Sequence, residues 1–339
     1  MKLIETQKAV GHVLCHDMTQ IIPGVSKGPR FRKGHVVTEE DIPVLLSMGK
    51  ENLYVWEMEP GMLHENDAAE RLCALCLGDN MERSEAKEGK IELTAARDGV
   101  FLVDTQRLNA VNSIDDIMIA TRRGGGAVHK GDKLCGTRVI PLVIPEEKLQ
   151  KAEEAAGDTP LLSLLPYKLK KAGVITTGSE VAKGRIEDRF TPVIEQKLAP
   201  FGITMTEHMV VDDEMDHLLE ALAEMKKKDV DIILCTGGMS VDPDDNTPGA
   251  IRRSGARIIT YGAPVLPGAM FLLGYYEDGR PVLGLPGCVM YAAATIFDLV
   301  LPRIAAGVRL CKQDFVVLGE GGLCLGCKPC TYPHCTFGR

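Results

Sequence analysis

The chain has 339 residues, enough for two or three domains, and its 45% hydrophobic and 25% charged residues are ordinary for a globular enzyme. A formal net charge of −8 and only 5% aromatic residues argue against nucleic-acid and anionic-membrane partners. The sequence contains neither an apolar run long enough to span a membrane nor the apolar core of a signal peptide. Its 11 cysteines therefore favour reduced thiols and a cytoplasmic location.

Residues 1–165 alternate short strands with few helices, which predicts an N-terminal strand-rich α+β domain. Thr38 is placed to cap a first helix, and residues 65–77 predict a second. The CxxC of Cys73 and Cys76 lies in that second helix among apolar residues, so we interpret it as core packing rather than metal ligation. The charged, proline-bounded stretch 145–166 is the expected connection to the next domain.

Residues 166–310 alternate strands and helices, which is typical of a mostly parallel sheet covered by helices on both faces. The pattern therefore predicts an α/β central domain. It includes a helix over residues 191–201 with Thr191 as its cap, and a long apolar helix directly after Pro286-Gly287. Ligands of such sheets bind where strand carboxyl ends meet helix amino ends.

Three of the predicted strand ends carry glycine, in “TTGSE” (176–180), “CTGGMS” (235–240) and “GLPG” (284–287). Main-chain N–H groups and neighbouring hydroxyls at such ends suit phosphate oxygens. Carboxylates also lie beside these loops in the chain. A carboxylate beside a phosphate is repulsive unless Mg²⁺ lies between them or the ligand's ring donates hydrogen bonds to the acid. The pattern thus predicts a ligand with a phosphate-like end and either a metal ion or a donor-rich ring. The hydroxyl residues are Thr176, Thr177, Ser179, Ser240 and Thr247, and the acids are Asp188, Asp242, Asp244 and Asp245.

The familiar nucleotide and hydrolase signatures are absent, namely the P-loop, G-x-G-x-x-G, G-x-S-x-G and H-E-x-x-H. The segments “VITTGSEV”, “IEDRFTPVIEQKLAPFGI” and “DIILCTGGMSVDPDDNTPGAI” instead resemble the molybdopterin-binding domain shared by the MogA and MoaB proteins, gephyrin and the MoeA-type molybdotransferases. The resemblance covers roughly residues 168–310. The final “VLGLPGCVMYAAATIFDLVLPRI” is similar to the MoeA type, and the N-terminal region resembles it loosely.

The resemblance implies a pterin ligand, molybdopterin, with a dithiolene and a terminal phosphate. It also implies Mg²⁺ and molybdate as participants, a possible homodimer, and a molybdoenzyme apoprotein as a possible partner. By position, Asp188 and Asp245 match the family's catalytic carboxylates. The alternative for Asp188 is that it only caps the helix near Thr191. The implied cofactor-binding residues are Thr177, Gly178, Ser179, Glu180, Gly237, Gly238, Met239, Ser240, Asp242, Pro286 and Gly287.

Two departures leave the activity open. The lysine-bearing segment of MoeA-type proteins aligns with “PVLPGAM” (264–270), which has no lysine, and their “PGNP” is here “PGCV”, with Cys288 in the loop. Three functions therefore remain: a molybdotransferase that releases AMP, a non-catalytic carrier of the finished cofactor, and a CinA-type nucleotide-processing enzyme. Candidate replacements for the lost cations are Arg185, Arg189, Arg252 and Arg253.

The tail, residues 311–339, carries a C-x2-C-x2-C-x4-C pattern that is absent from ordinary MoeA-type proteins. Four thiolates at this spacing predict a metal site, either tetrahedral zinc or an iron–sulfur cluster. The alternatives are His334 as the fourth ligand, or a flexible redox-sensitive tail without metal. The four cysteines are Cys324, Cys327, Cys330 and Cys335.

Overall fold

The computed structural model describes residues 2–22, 26–55, 60–178, 182, 188–240, 242 and 245–338. The chain forms two compact units: unit 1 is Met1–Arg97, Leu102–Arg122 and His129–Leu164, and unit 2 is Asp98–Phe101, Arg123–Val128 and Leu165–Arg339. Two short segments before residue 165 thus belong to unit 2, and so does the tail that was predicted as a separate region. None of the helices in these ranges is both long and apolar enough to cross a membrane.

Short strands dominate the first half of the chain. β6, β7, β11 and β9 form an antiparallel sheet in that order, and β7 buries every second residue. The strands are β1 (Lys2–Glu5), β2 (Met18–Ile22), β3 (Ser26–Phe31), β4 (Asn52–Val55), β5 (Met62–His64), β6 (Met81–Arg83), β7 (Lys90–Ala95), β8 (Gly99–Val103), β9 (Ile117–Thr121), β10 (Ala127–Val128), β11 (Lys133–Val139), β12 (Val143–Pro145) and β13 (Leu162–Leu165). The helices are α1 (Asp41–Ser47), α2 (Glu65–Ala74), α3 (Thr105–Asn112) and α4 (Glu146–Ala156), with a 3-10 turn at Thr6–Lys8.

Two predictions for this half are wrong in detail. The expected inter-domain connection contains α4, which buries Leu149, Ala152 and Ala156 at helical spacing and belongs to unit 1. Thr38 does not cap α1: the helix begins at Asp41, and the Thr38 hydroxyl donates to the Asp41 carboxylate at 2.8 Å. Both CxxC cysteines are buried, as core packing requires, although α2 ends at Ala74 and Cys76 lies beyond it.

Unit 2 is built on a six-stranded sheet in the order β15-β14-β16-β19-β18-β17. The first four of these strands are parallel, and β18 runs antiparallel to both of its neighbours. This mostly parallel sheet confirms the predicted fold class, although β18 was not anticipated. The strands are β14 (Lys171–Thr177), β15 (Thr204–Val211), β16 (Ile232–Thr236), β17 (Arg257–Tyr261), β18 (Leu272–Tyr275) and β19 (Pro281–Leu285).

Helices cover both faces of this sheet. One face packs against Ile194 and Phe297, and the other against Leu222 and Ile251. The helices are α5 (Phe190–Leu198), α6 (Met215–Lys227), α7 (Thr247–Arg253), α8 (Ile296–Ala305) and α9 (Lys312–Val316), with 3-10 turns at Ala199–Phe201, Gly287–Met290 and Val317–Gly319.

The prediction of a long helix directly after Pro286-Gly287 is wrong. A 3-10 turn comes first, and α8 starts only at Ile296. Thr295 causes the break, because its hydroxyl accepts from Phe297 N at 3.2 Å while the Asp298 carboxylate accepts from Thr295 N at 2.7 Å. This reciprocal pair begins a new helix instead of continuing an old one.

Candidate functional site

The glycine-bearing bends meet at one edge of the sheet. β14, β16 and β19 are adjacent and parallel, and Thr176 pairs with Thr236, which in turn pairs with Leu285. Gly178, Gly237 and Gly287 therefore follow neighbouring strand ends. We call this side of unit 2, where β14, β16 and β19 end, the carboxyl edge.

The Gly237-Gly238 turn lies directly on β14. Both glycines have positive φ (85° and 55°), and a Cβ on Gly237 would stand 2.3 Å from the Thr177 carbonyl oxygen. The Thr177 hydroxyl donates to Thr236 O at 3.0 Å and lies 3.3 Å from the Thr247 hydroxyl. Since the Thr177 proton is already used, Thr247 is the donor of that second bond. Both hydroxyls thus hold the turn rather than facing a ligand.

The next loop is held by a residue that the sequence analysis missed. The Tyr261 hydroxyl, at the end of β17, donates to the carbonyl oxygens of Met239 and Ser240, at 3.2 and 3.4 Å. The Met239 side chain is 4% exposed and fills the space above Gly284, so only its main chain lies at the carboxyl edge. The one signal for Tyr261 was an aromatic residue at the end of a predicted strand.

Asp242 and Asp245, which lie before α7, are joined by two hydrogen bonds. Asp245 N donates to Asp242 O at 2.9 Å, and Asp242 N donates to the Asp245 carboxylate at 3.4 Å. Within the described ranges that long bond is the only one the Asp245 carboxylate accepts. Burial raises the pKa of Tyr261, and the negative charge of Asp245 raises it further, so the two groups are close. Ser179, Glu180 and Asp244 lie outside the described residues.

Asp188 has a different environment. Its Oδ1 accepts from the main-chain N–H groups of Phe190 and Thr191, at 2.8 and 3.1 Å. Its Oδ2 accepts from the hydroxyls of Thr191 and Thr176, at 2.5 and 3.0 Å. Asp188 therefore caps α5, and Thr191, the predicted cap, lies inside the helix. Burial alone would raise the pKa of Asp188, yet these four bonds outweigh it and hold the pKa below the ordinary 3.8.

The two predicted catalytic acids lie on different sides of the sheet. Asp188 caps α5, whose buried residues belong to one face, whereas Asp245 precedes α7, which covers the other. Among the described residues no hydrogen bond or ion pair joins them. The structure therefore brings both acids to the carboxyl edge without bringing their carboxylates together.

Two polar groups beside Asp188 were also missed. His208 of β15 has its Nε2 2.9 Å from the Thr176 hydroxyl and 3.4 Å from Asp188 Oδ2. Thr236, next to Thr176 in the sheet, is fully buried, and its hydroxyl has no hydrogen-bond partner in the described part of the chain. No spacing rule in the sequence indicates His208, because it becomes a neighbour only through strand pairing.

The bend after β19, at Pro286-Gly287, forms an open part of the carboxyl edge. Pro286 is buried and Gly287 is exposed, and a Cβ on Gly287 would meet no atom within 4 Å. Cys288 is half-buried, and burial raises the pKa of its thiol. Lys197 of α5 lies nearby in the fold but is neutralised by Asp298 at 2.6 Å, with side-chain exposures of 12% and 14%.

Few of the proposed replacement cations lie at this edge. Arg252 and Arg253 end α7, about 8 to 9 Å from its first residue at the rise of an α-helix. Arg185 lies outside the described residues. Arg189, exposed at the start of α5, is the candidate that remains near the carboxyl edge.

The cysteines of the tail do not share one environment. Cys324 and Cys335 are half-buried against the core of unit 2, whereas Cys327 and Cys330 are exposed. Across the described ranges, no three His, Cys, Asp or Glu side chains are grouped as a metal ion requires. The tail itself is docked, because Phe337 is 4% exposed and the Tyr332 hydroxyl donates to Asp298 O at 3.0 Å. A metal site in the tail stays a prediction.

Two parts of the chain match two different protein families. Residues 173–306 match the family described as “Probable molybdopterin binding domain”. Residues 3–57 match a family described as a domain of unknown function.

Curated relatives match parts of the chain. “Molybdenum cofactor synthesis protein cinnamon” of Drosophila melanogaster is 27% identical over 220 residues, 62% of this chain and 36% of that protein. “Molybdopterin molybdenumtransferase” of Synechococcus elongatus is 24% identical over 196 residues, 55% of this chain and 46% of that protein. A “CinA-like protein” of Desulfosudis oleivorans is 36% identical over 83 residues, 24% and 20% of the two chains. The matches thus span less than half of each of these relatives.

Solved structures match part of the chain. MoaB from Thermus thermophilus aligns with a TM-score of 0.33 and 20% identity, over 41% of this chain and 98% of that one. The Mog protein of Mycobacterium ulcerans aligns with a TM-score of 0.34 and 21% identity, over 41% and 97%. The family match over residues 173–306 confirms the predicted resemblance of this part of the chain to the molybdopterin-binding domain.

Proposed function

We propose that the chain binds molybdopterin or adenylyl-molybdopterin at the carboxyl edge and inserts molybdate with release of AMP. The observation that supports this most is the convergence of Gly178, the Gly237-Gly238 turn and Gly287 on neighbouring strand ends. A Cβ on Gly237 or Gly238 would clash with Thr177 or Thr247, so these positions carry no side chain. Their main chain is therefore not shielded by side chains of their own. Main-chain N–H groups in such bends suit a terminal phosphate.

The acids suit the other requirements of this ligand. The carboxylates of Asp242 and Asp245 are hard oxygen donors of the kind that Mg²⁺ prefers, and the Asp245 carboxylate accepts one long bond among the described residues. When bound there, Mg²⁺ supplies positive charge beside the phosphate. Asp245 orients the charged end of the ligand, and Asp188 holds the start of α5.

The decisive experiment is an assay of AMP release from adenylyl-molybdopterin with molybdate and Mg²⁺. Asp245→Asn should lower the rate about a hundredfold, because one preorganised electrostatic contact typically contributes that much. The matched control is Asp229→Asn at the opposite edge of the sheet, since that side chain is 88% exposed. It should retain the full rate. Equal rates for Asp245→Asn and the unchanged chain would contradict the assignment of Asp245.

A non-catalytic carrier that delivers the cofactor to a molybdoenzyme is the second candidate. The absence of lysine from residues 264–270 favours it, as does the neutralisation of Lys197 by Asp298. A carrier would bind molybdopterin tightly without releasing AMP from its adenylylated form. Hydrolysis of a pyridine or ADP-ribose nucleotide, without affinity for pterin, would overturn both proposals in favour of CinA-type chemistry.

A further inference from the structure

We propose that His208 is a positioning residue whose Nε2–H group fixes the Thr176 hydroxyl, and with it the junction of β14 and α5 at the carboxyl edge. The role of this junction in ligand affinity rests on the proposed function. The hydrogen-bond pattern itself does not.

Three elements meet at the imidazole. His208 lies on β15, the edge strand of the sheet, and its Nε2 is 2.9 Å from the Thr176 hydroxyl at the end of β14. The same nitrogen is 3.2 Å from the Thr191 hydroxyl in the first turn of α5 and 3.4 Å from Asp188 Oδ2. The Thr176 and Thr191 hydroxyls are also hydrogen-bonded to that Asp188 oxygen.

Counting protons assigns the direction of each bond. Each threonine hydroxyl has one proton, and a bond to a carboxylate is roughly twice as strong as one between neutral groups. Both hydroxyls therefore donate to Asp188, whose lowered pKa keeps it ionised near neutral pH. Nε2 then faces only lone pairs, those of two hydroxyl oxygens and one carboxylate oxygen. It must carry the proton, and its best-placed acceptor is Thr176.

The arrangement matters because of what it joins. Gly178 directly follows β14, and Asp188 lies one residue before Arg189-Phe190, where α5 begins, so the cluster ties the end of one element to the start of the other. By fixing this junction, His208 holds the main chain at Gly178 in place before a ligand binds. A preorganised site loses less entropy on binding.

A pair of substitutions separates this role from general packing. His208→Gln places an amide N–H near the position of Nε2, whereas His208→Asn places its amide near Nδ1 and cannot reach Thr176. Both side chains tolerate an exposed edge strand, since the imidazole is already 29% exposed. We expect His208→Asn to weaken molybdopterin binding about fivefold to tenfold, the equivalent of one lost hydrogen bond, and His208→Gln to stay within about twofold. Equal losses in the two variants would overturn the positioning role.

The tautomer provides a readout that does not depend on the ligand. In ¹⁵N-histidine-labelled protein at about pH 8, where an ordinary imidazole is neutral, the His208 resonances should show a protonated Nε2 and a bare Nδ1. A protonated Nδ1 with a bare Nε2 would overturn the proposal. If the unchanged chain binds no molybdopterin at all, the proposed function fails, and the tautomer alone then decides for or against the assignment of His208.

Discussion

Two aspartates that match the same family pattern have opposite environments. Asp188 accepts four hydrogen bonds from α5 and β14, whereas Asp245 accepts one long bond among the described residues. A carboxylate whose lone pairs are all engaged contributes mainly to the stability of its surroundings, and one with free lone pairs can meet a ligand. We therefore expect substitution of Asp188 to affect stability first and substitution of Asp245 to affect activity first.

Acid should remove the contribution of Asp188. Because its folded-state pKa lies below 3.8, the ionised form stabilises the fold above that value, and the stabilisation is lost as the pH falls through the folded-state pKa. Asp188→Asn keeps a capping oxygen but has no charge to lose. Urea denaturation should therefore show a stability gap between the unchanged chain and Asp188→Asn at pH 7 that narrows below about pH 4. A gap that persists or widens in acid would rule out this account.

Elements with a strong local signal were predicted well, and those defined by distant partners were not. The prediction of a helix over residues 191–201 agrees in extent with α5 and its final 3-10 turn. β18 was missed because the short “LLGY” run has no alternation and takes its direction from its neighbours. The break before α8 depends on a side-chain bond from Thr295, which apolar periodicity does not reveal.

The contact between α5 and α8 offers a test at the level of elements. Lys197 and Asp298 are only 12% and 14% exposed, so Lys197→Met leaves a carboxylate with little access to water and without its cation. We expect a loss of about 3 kcal/mol in the free energy of unfolding. The control is Lys171→Met, because Lys171 is 45% and its partner Asp229 is 88% exposed, and so exposed a pair contributes little to stability. Similar losses for both variants would show that the Lys197 pair is not effectively buried.

At the scale of the whole molecule, the sequence indicated the central sheet and the clustering of its glycine bends but not the extent of each unit. The reason is that unit 2 recruits segments 98–101 and 123–128 and the tail through tertiary packing. Secondary-structure propensities depend on residues that are close in the chain, whereas these contacts join residues that are far apart in it. The propensities therefore cannot predict them. The capping role of Asp188 is different, because three of its four hydrogen bonds come from Phe190 and Thr191, which are close to it in the chain.

The tail gives a prediction for the intact chain. If its cysteines bind zinc or an iron–sulfur cluster, elemental analysis of purified protein should find bound metal that is lost on joint substitution of Cys327 and Cys330 by serine. Those two thiols are exposed, so their replacement leaves the core contacts of Cys324 and Cys335 in place. Cys311→Ser, another exposed thiol, is the control and should retain the metal. Equal metal content in all three proteins would exclude the tail as the site.

Docking of the tail also bears on the order of events during synthesis. Phe337 is 4% exposed in the same hydrophobic cluster as Val174, although the two residues lie far apart in the chain. A ribosome releases the chain from its N-terminus, so this cluster cannot be completed until Phe337 has emerged from the exit tunnel. Until then, nascent unit 2 exposes the apolar surface that Phe337 later covers. A chaperone that binds apolar surface would act at this stage.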